Sequence, residues 1–323
     1  MILVDILLIL IQESELNKKE LRKFQFIYLT KHQNSFTYPL LACGYGKGVF
    51  IMSKCKVIAV ANQKGGVGKT TTAENVAIGL ARNGKEVLIV DFDPHGDLTA
   101  CLGWKNNDAL ENTVSTMLDD YINDKDIKYD SLILKHEEDV DVIPANIELA
   151  DFEMRLVSVI NREQVLSSCL EPLRNRYDYI LIDCPPSLGM LTVNALSAAD
   201  QVLIPVQAQY LPAKGMTKLL QTINKVQRKI NSNLTIAGVA ITLADMKTNL
   251  AKSTIETIRD SFGRNIKVFD SVIPIATKAG EASISGKSIY SYAKDSKVAS
   301  AYSLLTDELI SSGKPKQRND FER

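Results

Sequence analysis

Closely spaced cysteines are missing from this sequence. Its five cysteines are an odd number, they are scattered from Cys43 to Cys184, and none forms a C-x-x-C pair. Disulfide-rich secreted folds and zinc fingers need paired or closely spaced cysteines, so both classes are excluded. Two suitably placed thiolates for an iron–sulfur cluster are also absent, which disfavours an electron carrier. This cysteine usage fits a reduced, cytoplasmic protein.

Long hydrophobic runs and an excess of charge are missing as well. The longest apolar run near the start is Ile6–Ile11, far below the ~20 residues that span a bilayer. It has neither the basic start nor the small-residue cleavage site of a signal peptide. Basic and acidic side chains balance at 38 each. Net charge therefore gives no argument for a nucleic-acid partner, although a local basic patch can exist in a neutral chain.

The first part of the chain differs from the rest. Residues 1–51 mix an apolar start, a Lys/Glu cluster and a Gly-rich end, and Met52 leads directly into an apolar run. Codons for Lys47–Val49 can contain a purine-rich ribosome-binding sequence at a suitable distance before Met52. We therefore expect 1–51 to be a translated leader absent from the native protein. A flexible N-terminal extension is the alternative.

From Lys56 onward, short apolar runs alternate with helical patterns. This alternation predicts a single α/β domain over 52–310, with a doubly wound, mostly parallel sheet flanked by helices, followed by a polar tail at 311–323. The predicted strands are Val57–Ala61, Val87–Val90, Val140–Ile143, Tyr179–Ile182, Val202–Pro205, Ile236–Thr242 and Ile266–Phe269. The predicted helices are Thr70–Asn83, Asp108–Tyr121, Asn161–Leu173, Leu191–Ala198, Lys214–Ile230 and Leu250–Phe262.

The most specific motif is the glycine-rich loop Asn62–Thr71, with the sequence NQKGGVGKTT, between a predicted strand and a predicted helix. Backbone N–H groups of such a loop and of the following helix start converge on phosphate oxygens. Lys69 would reach the β- and γ-phosphates, and the Thr70 hydroxyl would take a Mg²⁺ position. Gln63 stands where the general phosphate-loop pattern has its first glycine.

Acidic residues follow two other predicted strands. Asp91 and Asp93 come after the second strand, and Asp183 ends the apolar run Tyr179–Ile182. Ligands of open α/β sheets bind at the carboxyl ends of the strands, so we expect these acids near the loop. Asp183 is placed to hold Mg²⁺, directly or through water. Cys184 has no histidine near it in sequence and is predicted to belong to the core.

The loop resembles the deviant Walker A motif of the ParA/MinD/nitrogenase iron-protein group of ATPases. The resemblance implies ATP and Mg²⁺ as cofactors and an ATP-sandwiched homodimer, in which Lys64 crosses to the partner's nucleotide. It also implies that Lys64, Lys69 and Asp93 are the catalytic residues, with Asp93 positioning the attacking water and Asp91 near the phosphates. His95 and Asp97 depart from the Gln and Asn of that family's segment. The implied nucleotide-binding residues are Lys64, Gly65, Gly66, Val67, Gly68, Lys69, Thr70, Thr71 and Asp91.

Within that group, the runs Asp183–Gly189, Thr192–Leu196, Ile204–Gln207 and Val142–Asn146 are similar to the ParA/Soj branch. The resemblance implies an ATPase for chromosome or plasmid partitioning, associated with the nucleoid and stimulated by a ParB-like partner. The alternative is a MinD-like ATPase that positions a membrane or protein assembly. The basic tail Gly313–Arg323 has no apolar face, so we expect no stable membrane anchor.

The ParA/Soj resemblance also implies non-specific binding of double-stranded DNA through basic residues of the C-terminal part. Clustered cations suffice for such binding, because the phosphate backbone is the same in every sequence. Lys247 stands where arginine is usual and Ile275 replaces another arginine, so we expect weakened DNA affinity. The candidates are Lys247, Lys252, Lys278 and Lys287, followed by Arg259, Arg264 and Lys267.

Overall fold

The computed structural model describes residues 55–208 and 213–312. The predicted leader or extension at 1–51 lies outside these residues, as does the tail from residue 313 onward. The last described helix ends at Ser312, so it includes the first two residues of the predicted polar tail. In the described part of the chain, no helix is both long and apolar enough to cross a bilayer.

One eight-stranded sheet forms the centre of the fold. Its strands are β1 (Lys56–Val60), β2 (Val87–Asp91), β3 (Leu134–Lys135), β4 (Asp141–Ile143), β5 (Tyr179–Asp183), β6 (Gln201–Gln207), β7 (Thr235–Ala244) and β8 (Val268–Pro274). They are arranged in the order β3-β4-β2-β5-β1-β6-β7-β8. Every pairing is parallel except that between β3 and β4. The predicted doubly wound α/β fold is therefore confirmed.

Helices connect the strands. In chain order they are α1 (Lys69–Arg82), α2 (Asp97–Cys101), α3 (Val114–Ile122), α4 (Tyr129–Leu132), α5 (Glu148–Arg155), α6 (Val165–Leu170), α7 (Met190–Ala198), α8 (Ala213–Lys229), α9 (Asn249–Phe262), α10 (Thr277–Ile284), α11 (Ile289–Tyr292) and α12 (Lys297–Ser312). Gly84 follows α1 with φ of 71° and donates its N–H to the Ala81 carbonyl at 2.8 Å. A glycine in this left-handed conformation just after the C-cap is a common way for a helix to end, and Gly84 ends α1 in this way.

Both faces of the sheet are buried, which explains the continuous apolar runs. Along β1, Val57 and Ala59 belong to one hydrophobic cluster, while Ile58 and Val60 belong to another. Successive side chains of a strand point to opposite faces, so the two clusters are the cores beneath the two helical layers. The carboxyl edge of the sheet is left to carry polar groups.

The last predicted strand is displaced. Ile266–Phe269 was expected, but β8 is Val268–Pro274 and alternates between buried and less buried positions. As an edge strand of the sheet, it shows a period of two rather than an apolar run, and Asp270 within it is exposed. The two-residue strand β3 was not predicted because so short a segment carries no periodic signal.

Several helices also differ from expectation. The helix predicted at 108–121 starts only at Val114. The helix predicted at 161–173 is α-helical only over Val165–Leu170, because Pro172 has no N–H to continue it. Helices α2, α4, α5, α10, α11 and α12 were not predicted. Of these, α12 had a readable pattern, since its buried Val298, Tyr302, Leu305 and Leu309 follow helical spacing.

Candidate functional site

Three buried strands end side by side at the carboxyl edge of the sheet. Val60 of β1 and Asp91 of β2 both lie in register with Asp183, the last residue of β5. Asp91 is fully buried and Asp183 is 1% exposed. Open parallel sheets bind ligands at this edge. The strand order therefore brings the glycine-rich loop after β1 next to the two predicted acids.

Neighbouring strands hold the glycine-rich loop in place. Gly66 and Gly68 have left-handed φ values of 69° and 79°, which glycine adopts without the strain that other residues would have. The Thr242 hydroxyl of β7 donates to the Val67 carbonyl at 2.8 Å, and Asn62 Nδ2 donates to a backbone carbonyl of β6 at 2.6 Å. A fixed loop that leads into the N-terminus of a helix is an arrangement that binds phosphate.

The two lysines of the loop have different environments. Lys69, the first residue of α1, is 7% exposed, and its positive charge favours the ionised form of Asp183. Lys64 is exposed. A buried lysine such as Lys69 can act on groups bound within the site, whereas an exposed lysine such as Lys64 can contact a second molecule. This difference accords with the separate roles predicted for them.

Asp183 carries a carboxylate oxygen that nothing in the described part of the chain satisfies. Its Oδ1 is buried without a hydrogen-bond partner, while the Thr70 side chain hydrogen-bonds the same carboxyl group. Burial, followed by the charge of Asp91, raises the pKa of Asp183 well above its usual range. A cation or its bound water would supply the missing partner and favour the charged form. Thr70 and Asp183 therefore fit a Mg²⁺ ion.

Asp91, in contrast, is held by the protein itself. Its Oδ2 accepts hydrogen bonds from the Thr99 N–H at 2.8 Å and the Thr99 hydroxyl at 2.7 Å, and its Oδ1 accepts one from the Asp93 N–H at 3.3 Å. Burial raises the pKa of Asp91 to about 6, against the opposing effect of the Thr99 bonds. The Thr99 hydroxyl also accepts a hydrogen bond from the Ala145 N–H at 3.0 Å. Thr99 thus links Asp91 to the Val142–Asn146 segment.

Thr99 carries no sequence signal that marks it as part of the site. The residue lies in α2, a helix that was itself not predicted, eight positions after the acid it contacts. No spacing rule connects a threonine at that distance with a strand-end carboxylate. Only the packing of α2 against the sheet brings the two together.

Asp93 lies in a tight turn and is 9% exposed. Its Oδ1 accepts a hydrogen bond from the His95 N–H at 3.1 Å and lies 2.9 Å from His95 Nδ1. Gly96 has φ of 62°, and a Cβ there would lie 2.7 Å from the Ala145 carbonyl and closer still to the Asn107 amide. The turn is therefore packed against neighbouring segments, which fixes the position of Asp93.

Two of the DNA-binding candidates, Lys247 and Lys278, lie at another part of the same edge. Lys247 follows β7 and Lys278 follows β8, and these strands end next to each other because Ala244 pairs with Pro274. Strand β6 separates them from the nucleotide-site strands. Four candidates are exposed and have no carboxylate within ion-pair distance among the described residues, namely Lys247, Lys252, Lys278 and Lys287.

Two of the secondary candidates are engaged elsewhere. Arg259 donates to the Asp270 carbonyl at 3.3 Å. Lys267 donates to the Glu308 carbonyl at 3.3 Å and lies 4.5 Å from the centre of the Phe269 ring. Arg264 is exposed, and Ile275, which replaces an arginine of the related segment, is 59% exposed. The four lysines are thus better placed than Arg259 or Lys267 to meet a polyanion.

Comparison with known proteins identifies relatives of this arrangement. The sequence profile of a family described as AAA domain matches residues 55–236. The sporulation initiation inhibitor protein Soj of Bacillus subtilis is 45% identical over 258 residues, which are 80% of this chain and 99% of that protein. The chromosome partitioning protein ParA of Myxococcus xanthus is 39% identical over 85% of this chain and 95% of its own length.

A solved structure shares the fold. It is a cobyrinic acid a,c-diamide synthase from Mycobacterium smegmatis with bound ADP and magnesium, and it is 35% identical with a TM-score of 0.68. The match covers 79% of this chain and 94% of that one. A nucleotide and a magnesium ion are therefore bound by a structural relative of the fold described here.

Proposed function

Because the chain belongs to the ParA/Soj family of P-loop ATPases, we propose that it partitions DNA through an ATP-driven cycle of dimerisation and DNA binding. The observation that carries the nucleotide site is the buried Asp183 Oδ1, which has no hydrogen-bond partner in the described part of the chain and lies beside Thr70 and the glycine-rich loop. Four exposed lysines that have no carboxylate partner among the described residues support the proposed DNA face. The names of the Soj and ParA relatives support the cellular role.

In the proposed nucleotide site, Thr70 and Asp183 would hold Mg²⁺, whose positive charge would offset the charge of the phosphates. Lys69 adds a positive charge beside the phosphates, and Asp93 positions the attacking water. Asp91 contributes negative charge next to Asp183. The loop and helix start would contact the phosphates of the chain's own ATP through Gly65, Gly66, Val67, Gly68, Lys69, Thr70 and Thr71, whereas Lys64 would contact those of a second copy.

The exposed Lys64 is proposed to complete the nucleotide site of a second copy. A cation that reaches the phosphates from a partner subunit offsets their charge as an arginine finger does. ATP then becomes part of the dimer interface, and its hydrolysis weakens the dimer. This arrangement gives the nucleotide a direct effect on the oligomeric state.

The dimer is proposed to bind non-specific double-stranded DNA through its two sets of lysines, and so to associate with the nucleoid. Doubling the number of phosphate contacts raises affinity because each contact releases counterions. A ParB-like partner bound at a centromere site would stimulate hydrolysis and release the DNA. The cycle couples the buried site to the exposed basic face.

Sedimentation velocity tests the proposed coupling of ATP to dimerisation. The protein is run with ATP·Mg²⁺ and with ADP·Mg²⁺, using Asp93→Ala to slow hydrolysis. We expect a dimer with ATP and a monomer with ADP, and Lys64→Ala should remain monomeric with either nucleotide. Lys125→Ala, which removes an exposed lysine elsewhere, is the charge-matched control and should dimerise normally.

Two results would contradict the proposal. If the Asp93→Ala protein stays monomeric with ATP·Mg²⁺, the proposed nucleotide-dependent dimer does not form. If Lys64→Ala dimerises normally with ATP, Lys64 has no cross-subunit role, although ATP-dependent dimerisation itself still stands. Nucleotide binding is measured in parallel by a fluorescent ATP analogue, so that a failure to bind ATP is not mistaken for a failure to dimerise.

A further inference from the structure

His95 contacts the carboxylate of Asp93. Its Nδ1 lies 2.9 Å from Asp93 Oδ1, and its own backbone N–H donates to the same oxygen at 3.1 Å. The His95 side chain is 73% exposed, whereas that of Asp93 is 13% exposed. The imidazole is thus the solvent-accessible half of a pair whose other half lies in the proposed hydrolytic site.

The imidazole is not needed to form the turn. The backbone N–H of His95 already makes the bond to Asp93 Oδ1, and the Gly96 N–H donates to the Asp93 carbonyl at 2.9 Å. Both bonds come from the main chain and survive a change of the side chain at position 95. The turn therefore does not require the contact between His95 Nδ1 and Asp93.

We propose that His95 is a pH-sensitive positioning residue for Asp93, whose imidazolium form holds the Asp93 carboxylate in an ion pair and slows ATP hydrolysis. Loss of the His95 proton frees that carboxylate to position water. The inference rests on the proposed role of Asp93 in hydrolysis. It concerns the basal activity of the chain and needs neither DNA nor a protein partner.

The two protonation states differ in how strongly they hold Asp93. An imidazolium makes a charge-assisted bond, roughly twice as strong as a neutral one, and its charge reduces the attraction of the carboxylate for a water proton. A neutral imidazole makes an ordinary hydrogen bond, with which water can compete. The protonation state of His95 can therefore make the rate of ATP hydrolysis depend on pH.

Two carboxylates act on the imidazole. The hydrogen bond and the charge of Asp93 raise the pKa of His95 above 6.5, and the charge of Asp97 acts in the same direction. Asn107, which packs against the neighbouring Gly96, is uncharged. Because the ordinary histidine already titrates just below neutral pH, an upward shift brings the change of charge closer to the physiological range.

The first test is an NMR titration of the imidazole C–H signals. The chain has three histidines, so the His95 signal can be assigned by its loss in His95→Gln. We expect Asp93→Asn to lower the His95 midpoint, because the ion pair is removed while a side chain of similar size remains. The same midpoint in wild type and Asp93→Asn would overturn the proposed pairing.

The second test is the pH dependence of kcat for ATP hydrolysis, measured without DNA between about pH 5.5 and 8.5. We expect the wild-type rate to fall on acidification with the NMR midpoint of His95. His95→Gln should lack this step and keep only the titration of Asp91, whose carboxylate accepts a bond from the Asp93 N–H and whose pKa burial raises to about 6. At the acidic end the variant should be faster by about fivefold or more, and at the alkaline end the two should agree within roughly twofold. The control is His136→Gln, which should keep the wild-type profile. In the wild type, the centre of the His136 ring lies 6.0 Å from that of the Trp104 ring.

The outcomes separate this inference from the proposed site. Undiminished hydrolysis by Asp93→Asn would contradict the role of Asp93 itself. An inactive Asp93→Asn together with identical pH profiles of wild type and His95→Gln would overturn only the role of His95. Retained ATP binding in both variants shows that the site remains folded.

Discussion

Two groups of polar residues share the carboxyl edge of the sheet, and they differ in burial. At the nucleotide end, Asp91 and Asp183 are almost completely buried, and their contacts come from several segments. At the β7–β8 end, Lys247 and Lys278 are exposed and free of ion pairs with described residues. The difference suits two kinds of ligand. A buried, converging set selects one small polyanion by geometry, whereas exposed cations on flexible stems accept any phosphate backbone.

The largest effect is expected where the buried site loses its cation. Lys69→Gln removes a positive charge that is 7% exposed and acts on Asp183, so the phosphates lose a cation and the Asp183 carboxylate becomes harder to ionise. We expect ATP·Mg²⁺ to bind at least ~100-fold more weakly, since hydrogen bonds to charged groups contribute about 1.5–3 kcal/mol each. Titration with a fluorescent ATP analogue measures this. Near-normal affinity would contradict the assignment of the loop.

Removing cations from the exposed end should have a smaller and more uniform effect. The triple variant Lys247→Ala, Lys252→Ala, Lys278→Ala should bind DNA roughly 10–50-fold more weakly whatever its sequence, with a salt slope reduced by about one for each phosphate that is no longer neutralised. ATP binding should be unchanged. Fluorescence anisotropy with two unrelated duplexes measures the affinity. A triple variant with the wild-type salt slope would show that these three lysines do not contact DNA phosphates.

Glu74 offers a test of burial alone. It lies in α1, it is 1% exposed, neither carboxylate oxygen has a hydrogen-bond partner in the described structure, and burial raises its pKa well above its usual range. The folded state therefore keeps a proton that the unfolded state releases, so this group costs stability increasingly as pH rises above its unfolded pKa. Glu74→Gln removes the titration. Relative to this variant, the wild type should lose up to about 1.4 kcal/mol of unfolding free energy per pH unit above about pH 5, until the pH reaches the raised pKa of Glu74 in the folded state.

Urea denaturation of both proteins at a series of pH values measures that difference. Glu137→Gln, which alters an exposed glutamate, serves as the control and should follow the wild type. Parallel stability curves for wild type and Glu74→Gln would show that Glu74 is ionised in the folded protein.

The smallest effect is expected at Ile275. This side chain is 59% exposed beside the end of β8, so Ile275→Arg adds a cation to the lysine face without disturbing the core. We expect DNA affinity to rise about threefold and the salt slope to increase by about one. Ile275→Gln, which adds a polar side chain of no charge, should leave both unchanged. Equal gains from Arg and Gln would show that charge is not the cause.

The strands that carry the nucleotide site (β1, β2 and β5) were easier to predict from sequence than the C-terminal elements. These strands are continuous apolar runs because both faces are buried, and the acids directly follow them, so Asp91 and Asp183 were placed correctly beside each other. The hydrogen bonds of Thr99 could not be predicted, because they depend on how α2 packs. The contact between His95 and Asp93 also depends on a local turn geometry.

The C-terminal half was harder to predict. Strand β8 lies at an edge and alternates, so its limits were misplaced, and α10 and α12 were missed although both pack against the core. The sequence could identify Lys247 and Lys278 as candidates but not their proximity at neighbouring strand ends. Nor could it show that Arg259 and Lys267 are engaged with backbone carbonyls.

In the proposed cycle, the nucleotide in the buried site controls DNA binding by the exposed basic face. The most direct measurement is the affinity of Asp93→Ala protein for a non-specific duplex with ATP·Mg²⁺ and with ADP·Mg²⁺, over a salt series. We expect binding to be at least ~10-fold tighter with ATP and to weaken steeply as the salt concentration rises. Equal affinity with the two nucleotides at every salt concentration would contradict this expectation.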